Sequence, residues 1–316
     1  MIRITTRKKI LALVTLFVLL LVLQQTIDFG GDSRIARGIQ NGAHGPWFAC
    51  VTYLIWRLIS VIPTRSMGDF PALLFTLLLA GFLASATEYF QLFTGRQPSW
   101  EDFFLDMSGA LASVHLIAWY RYSFLNARKA FFLAGVVLLA LSQYPLVIAT
   151  TITGYVYAVQ PRLLGFDWFL DYVTMSTESD VEIVDAPCSW SAYRDRKVLK
   201  IRFADQTWPG ISLKEPLPDW SSYSHLVVEL FNDSQQGLPL NISVRPRIQS
   251  RHREHHSTEN FYQGFQLSPG VNSLRVPIDD FLPQRNIVDW RVRYLVIYTL
   301  EPFAGRTVYI GEVRLE

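Results

Sequence analysis

Hydrophobic residues run in long stretches through the first half of the chain and in short alternating runs through the second. A helix needs roughly 20 apolar residues to cross roughly 30 Å of hydrocarbon. Counting runs against that length predicts five transmembrane helices, at about 10–27, 47–62, 70–93, 103–120 and 130–153. Ile10–Ile27 carries no charge and ends at Asp28, while Trp47–Ile62 is interrupted only by Arg57, close enough to its end to reach the interface. The second and fourth runs are short for a crossing. Tyr155–Tyr172 is a mixed aromatic stretch that reads as a linker or interfacial helix. From about Val181 the period changes: VLKIRFA, HLVVELFN, LNISVRPRI, FYQGFQL and VRYLVIYTL alternate and are separated by turn residues such as SPG and NDSQQG. Short strands at that spacing predict an antiparallel all-β sandwich. The expected architecture is a membrane all-α bundle over 1–154, a linker or interfacial segment at 155–180, and an all-β sandwich over 181–316.

Composition sharpens this picture. The mean hydropathy of +0.19 averages two unlike halves. A net charge of +2 leaves no electrostatic footprint for nucleic acid. Two cysteines, Cys50 and Cys188, one in each half, make neither a disulfide framework nor a metal cluster. The basic start MIRITTRKKI resembles that of a secretory signal, but LVLQQTIDFGGD offers no small-x-small cleavage site, so the first span is expected to be an uncleaved anchor. Arg3, Arg7, Lys8, Lys9, Arg57, Arg65, Arg121, Arg128 and Lys129 fall on one side of the five spans, and Arg34, Arg37 and Arg96 on the other. Positive residues stay inside. The N-terminus is therefore expected in the cytoplasm and the C-terminal domain outside it.

One polar stretch breaks the apolar half. EYFQLFTGRQPSWEDFFLDMSG, residues 88–109, joins the third and fourth spans at the outer side. Glu88 and Gln91 share a helix face, and Asp102 and Asp106 share another, continued by Gly109 and Ser113. An antiparallel helix pair would bring Glu88, Asp102 and Asp106 together, with Arg96 in the turn and His44 entering from the second span. Carboxylates at a membrane boundary are costly and mark functional sites. Three readings stay open. Arg96 and the carboxylates can form a salt-bridged network that pins the helices. They can hold a polar headgroup or lipid-linked sugar, with Arg96 on phosphate and the carboxylates on hydroxyls or a divalent cation. They can also act as general acid and base with His44.

The series Glu88, Gln91, Arg96, Ser99, Asp102, Gly109 resembles the signature of the VanZ-like family of bacterial membrane proteins. In that family a helix ends in E-x-x-Q, a turn holds an Arg, and the next helix opens with D-x-x-x-N; His44 matches its upstream His. Asp106 stands where the family has Asn, and Gln40 and Asn41 replace an Asp-Lys pair. The resemblance covers about residues 10–125 and implies a membrane protein, named for a teicoplanin resistance factor, with no defined reaction. The second half is similar to galactose-binding-like carbohydrate-binding jelly rolls, through Trp220, Tyr223, Leu226, Phe261, Phe265, Gly270, Asn272, Pro277 and Tyr309. Gly311-Glu312 stands where that class often has an Asp, which weakens a structural calcium site.

Other features carry less. RHREHH at 251–256 holds three of the six His and reads as a solvated loop rather than a metal site. Trp190, Trp208, Trp220 and Trp290 offer sugar-stacking platforms, although aromatics in sandwiches usually form core. Asn-x-Ser at Asn232 and Asn241 means little in a bacterial chain. No cofactor is predicted. The expected function is an inner-membrane protein of the bacterial cell envelope that binds envelope polysaccharide or a lipid-linked glycan precursor. A membrane enzyme modifying such a glycan and an assembly protein whose sandwich binds another protein are the alternatives.

Overall fold

The computed structural model describes residues 2–26, 33–61, 68–94, 98–122, 127–177, 179–203, 209–217, 219–247, 261–281, 291–300 and 305–316. The chain divides into two compact units, Met1–Thr151 and Ile152–Glu316.

Helices stand at each of the five apolar segments: α1 (Ile2–Thr26), α2 (Arg34–Val61), α3 (Asp69–Gln91), α4 (Trp100–Arg121), and the pair α5 (Arg128–Leu141) and α6 (Tyr144–Ala158). Five spans were expected. Among the described residues, length and composition qualify two helices to cross a membrane, α3 and α4, or three if the α5–α6 pair, bent by 46°, is one span. The first half of α2 is polar, with Arg34, Arg37, Gln40, Asn41 and His44. The α5–α6 break has a covalent cause. In a continuous helix the Pro145 ring would clash with the Leu141 carbonyl; after a break at Ser142–Gln143 it falls in the first turn of α6, where Pro is tolerated.

Small residues set the packing of this unit. A Cβ on Gly109 of α4 would collide with the Gly45 carbonyl of α2, and one on Gly45 would collide with the Ser142 side chain. Close backbone approach of this kind holds helices together where lipid offers no hydrophobic drive. Pro46 lies inside α2 and cannot donate to the carbonyl four residues back, that of Gly42. Gln143 supplies the missing donor: its Nε2 reaches the Gly42 carbonyl at 2.9 Å. A freed carbonyl in a helix bundle is thereby satisfied from a neighbouring element.

The second unit holds two antiparallel sheets. Its strands are β1 (Arg162–Leu164), β2 (Met175–Thr177), β3 (Asp180–Asp185), β4 (Lys197–Arg202), β5 (Gly210–Lys214), β6 (His225–Asn232), β7 (Leu238–Arg247), β8 (Phe261–Leu267), β9 (Gly270–Pro277), β10 (Arg291–Tyr298) and β11 (Thr307–Leu315), with short helices α7 (Phe169–Val173) and α8 (Ile278–Phe281). One sheet runs β3-β4-β11-β6-β9, with β1 also on β11; the other runs β2-β5-β10-β7-β8. Alternate residues of both sheets, among them Leu199, Ile201, Val228 and Leu230 of the first and Ile211, Leu240, Ile242 and Ile297 of the second, bury one common core. The arrangement is sandwich-like. The stretch 155–180, read from sequence as a linker or interfacial helix, contributes β1 to one sheet and β2 to the other, and Val156, Leu163, Leu164 and Phe166 to the core.

Candidate functional site

The polar positions predicted around the third and fourth apolar segments converge at one end of the helical unit. Ser99 is the N-cap of α4, its hydroxyl accepting from the Asp102 N–H at 3.3 Å, and Glu101 and Asp102 occupy the first turn, where negative charge suits the helix dipole. Glu88, at the end of α3, is 7% exposed. Its Oε2 accepts the Ser99 backbone N–H at 2.8 Å and its Oε1 accepts Gln91 Nε2 at 3.2 Å. Both oxygens of Glu88 are therefore engaged in fastening the turn. Arg96 lies outside the described residues.

Asp106, one turn further along α4, is fully buried. Its Oδ1 meets His44 Nδ1 of α2 at 2.9 Å, where His44 is 12% exposed. Its Oδ2 has no hydrogen-bond partner among the described residues. The Gly45–Gly109 crossing places the pair, since His44 precedes Gly45 and Asp106 lies three residues before Gly109. Glu88 and Asp102 also lie close enough to His44 to act on its charge. The structure thus brings His44, Glu88, Asp102 and Asp106 into one electrostatic cluster, with Gln91 bonded to Glu88. Two further buried polar atoms of this unit, Trp47 Nε1 and Thr52 Oγ1, lack partners among the described residues. Among those residues no group of three or more His, Cys, Asp or Glu is arranged to hold a metal ion. Chemically, the His44–Asp106 pair can share and relay a proton.

A second site emerges from strand register. Cross-strand partners share a face. In the β2-β5-β10-β7-β8 sheet, Tyr294 sits between Lys214 and Arg245, Val296 between Ser212 and Ser243, and Tyr298 between Gly210 and Asn241. On the far side Ser243 faces Tyr262, Asn241 faces Gly264 and Pro239 faces Gln266. These residues alternate with the core-facing Ile211, Leu213, Leu240, Ile242, Val244, Leu295 and Ile297, so they form the outer face. Tyr262 is 71% exposed, and Tyr294 and Tyr298 are half-buried. A cavity of about 320 Å³ opens here, lined by Pro239, Asn241, Gly264, Gln266 and Leu300 among others. The face carries tyrosines, amides, hydroxyls and two cations, and no carboxylate at these positions.

Sequence reasoning did not single out these tyrosines and looked to tryptophans instead. Trp220 is core, its Nε1 donating to the Leu217 carbonyl at 2.7 Å. Trp190 is 1% exposed and packs with Tyr193 and Phe231 on the outside of the other sheet, where Gly311 leaves room for the rings. Trp208, Trp290 and the RHREHH segment lie outside the described residues. Asn232 serves a turn, its Nδ2 donating to the Gln236 carbonyl and its Oδ1 accepting from the Ser234 N–H.

No family model matches this chain, and no characterised protein matches it by sequence. Similar solved structures cover about half of it. An exo-β-agarase matches at TM-score 0.39 and 12% identity, over 50% of this chain and 25% of that one. A family 11 carbohydrate-binding module from Clostridium thermocellum, in complex with a β-1,3-1,4-mixed-linked tetrasaccharide, matches at TM-score 0.36 and 10% identity, over 49% of this chain and 94% of that one. A non-crystalline-cellulose-specific module of family 28 matches at TM-score 0.33 and 13% identity, over 50% and 93%. At these scores and identities the likeness carries nothing about ligand.

Proposed function

We propose that this chain is a membrane-anchored glycan receptor of the bacterial cell envelope. In this reading the VanZ-like half crosses the inner membrane five times from a cytoplasmic N-terminus. The β-sandwich, a jelly roll, stands outside and binds envelope polysaccharide or a lipid-linked precursor. The observation that carries the reading is the register that aligns Tyr262, Tyr294 and Tyr298 with Asn241, Ser243 and Gln266 on one outer sheet face. Tyrosine offers an apolar ring face with a polar tip, suited to the flat apolar side of a sugar ring and its hydroxyls. A few fixed polar groups then orient the ligand. Lys214 and Arg245 flank Tyr294, and positive charge on that face favours acidic polymers.

The test is retention of the full-length protein in nanodiscs on immobilised neutral and uronate-containing polysaccharides. Retention should fall about tenfold or more when Tyr298 is replaced by Ala, the loss of one aromatic contact at a binding hot spot. Retention unchanged in a Tyr262, Tyr294 and Tyr298 triple Ala variant would overturn the reading and leave protein binding as the sandwich's role.

A second reading, a membrane enzyme acting on a lipid-linked glycan, is favoured by Asp106. Its buried Oδ2, without a partner among the described residues, lies beside the His44 contact and suits proton transfer. Asp106→Asn should then abolish turnover of a lipid-linked glycan while leaving retention on polysaccharide unchanged. Turnover unaffected by that change excludes the pair from chemistry.

A further inference from the structure

The helical unit holds a second cavity that neither reading uses. About 750 Å³ in volume, it lies between α1, α2 and α4. Its origin is the tight crossing at Gly45 and Gly109. Helices that touch at one point diverge beyond it, and the small side chains of Ala49, Cys50 and Ser113 leave the resulting wedge unfilled. Leu16 and Leu20 of α1 form the third wall. On α2 the lining residues recur at Cys50, Tyr53, Leu54 and Arg57, and on α4 at Ser113, Leu116, Ile117 and Tyr120. That spacing is one stripe on each helix. From Ala49 to Arg57 the groove runs about 12 Å at 1.5 Å per residue.

Its chemistry is polarised. The body is hydrocarbon, and one end carries Arg57 with Tyr120, which is 72% exposed. Arg57 makes no ion pair among the described residues; its guanidinium lies 5.8 Å from the Trp56 ring centroid. A cation at the edge of an apolar groove calls for an anion, and the planar guanidinium fork matches phosphate. Tyr and Trp belong at the depth of lipid headgroups. The volume falls in the range of small-molecule sites.

We propose that this groove binds the hydrocarbon chain of a phosphate-bearing anionic lipid, with the phosphate on Arg57. The inference rests on the membrane placement proposed above and is independent of the sandwich. A phospholipid and a polyprenyl phosphate share the required chemistry, a long chain ending in phosphate.

Cys50 lines the groove and Cys188 is the other cysteine of the chain, so a Cys188→Ser background leaves one thiol inside the site. The full-length protein is placed in bilayers of phosphatidylcholine or phosphatidylglycerol, and the rate of maleimide addition to Cys50 is measured. Phosphatidylglycerol should slow the reaction about tenfold relative to phosphatidylcholine, as expected for one charge-assisted contact. Arg57→Gln should remove the difference and Arg57→Lys should keep most of it. Ala49→Phe, which fills the groove, should slow the reaction in both lipids. A few per cent of polyprenyl phosphate in phosphatidylcholine that protects Cys50 where phosphatidylglycerol does not assigns the source to the isoprenoid lipid. Equal rates in all three lipids, or a difference that survives Arg57→Gln, overturn the proposal. Release of the protein from bilayers by alkaline carbonate sinks the membrane placement itself, whereas retention without lipid selectivity sinks only the groove.

Discussion

Replacing His44 by Leu strips Asp106 of its one side-chain partner among the described residues. The carboxylate is fully buried and its Oδ2 already has no partner among the described residues, so the variant buries both oxygens without a side-chain donor. Removing one member of a buried pair costs about 3–5 kcal/mol when the survivor is charged. The reverse change, Asp106→Leu, is milder, because a lone His can stay neutral and loses only a hydrogen bond, about 1–3 kcal/mol. The double variant replaces both groups by hydrocarbon and leaves neither of them orphaned; apolar replacement of a buried pair is often neutral or stabilising by about 1–4 kcal/mol. The expected order of stability therefore places the double variant nearest to the parent and His44→Leu lowest. Thermal unfolding in detergent, followed by tryptophan fluorescence, reads this order. At about 2–4 °C per kcal/mol for a unit of this size, His44→Leu should lower the midpoint by roughly 6–20 °C. Destabilisations that simply add in the double variant would refute the reasoning, since two groups that interact cannot be independent. A double variant as stable as the parent also says that the fold does not need the pair.

Three further outcomes follow from the same coordinates. Gln143→Leu should cost about 1–3 kcal/mol by stranding the Gly42 carbonyl, and much less in a Pro46→Ala background, where residue 46 supplies its own N–H; equal costs in both backgrounds, measured by the same melts, would dismiss the contact. Gly109→Ala drives a methyl into the Gly45 carbonyl and should destabilise by about 1–3 kcal/mol, whereas Gly154→Ala meets nothing within 4 Å and should gain up to about 1 kcal/mol of helix propensity; a Gly109→Ala protein that melts like the parent contradicts the close crossing. Burial pushes the Asp171 carboxyl above its ordinary range. Its stabilising contribution is then complete below the unfolded value near 4 and is lost as pH rises through the folded value, so Asp171→Asn should flatten that decline and raise the melting temperature at pH 7, and an unchanged pH profile would rule this out.

Much of the architecture was legible because it depends on local pattern. Each apolar run became helix, the last one a bent pair; FYQGFQL and VRYLVIYTL became β8 and most of β10 because period-two alternation fits one buried sheet face, and HLVVELFN became β6 as a short apolar run buried on both faces. Even the outer face was within reach. In FYQGFQL, Phe261, Phe265 and Leu267 keep one phase and Tyr262 the other; in β10, Tyr294 and Tyr298 alternate against Leu295 and Ile297. What alternation alone could not give was the neighbour across the sheet, because the partners of β10 come from residues 210–214 and 241–247, whose pairing is a tertiary fact. The bend between α5 and α6 was written in Pro145, which a count of apolar residues overlooks. The strands in 155–180 were hidden for another reason: at three residues each, β1 and β2 are too short to show a period.

The acidic cluster shows where sequence stops. Glu88 and Asp106 look alike on paper, each a carboxylate on an apolar helix near the same turn. Their valences separate them. Glu88 is reached by two donors from its own neighbourhood, the Gln91 amide one turn away and the Ser99 N–H across the turn, both present as soon as the helix pair forms. Its carboxylate thereby fastens the N-terminus of α4 to the end of α3 with donors drawn from residues 88–102. Asp106 has no such local supply. Its one donor among the described residues, His44, comes from 62 residues away and is brought by the glycine crossing of α2 and α4, and among those residues its second oxygen has no partner. A buried acceptor with spare capacity costs free energy in every folded molecule unless something occupies it. Between the two, Asp106 is thus the carboxylate with an oxygen that no described residue satisfies, and the one at which a ligand or a transferred proton would be felt.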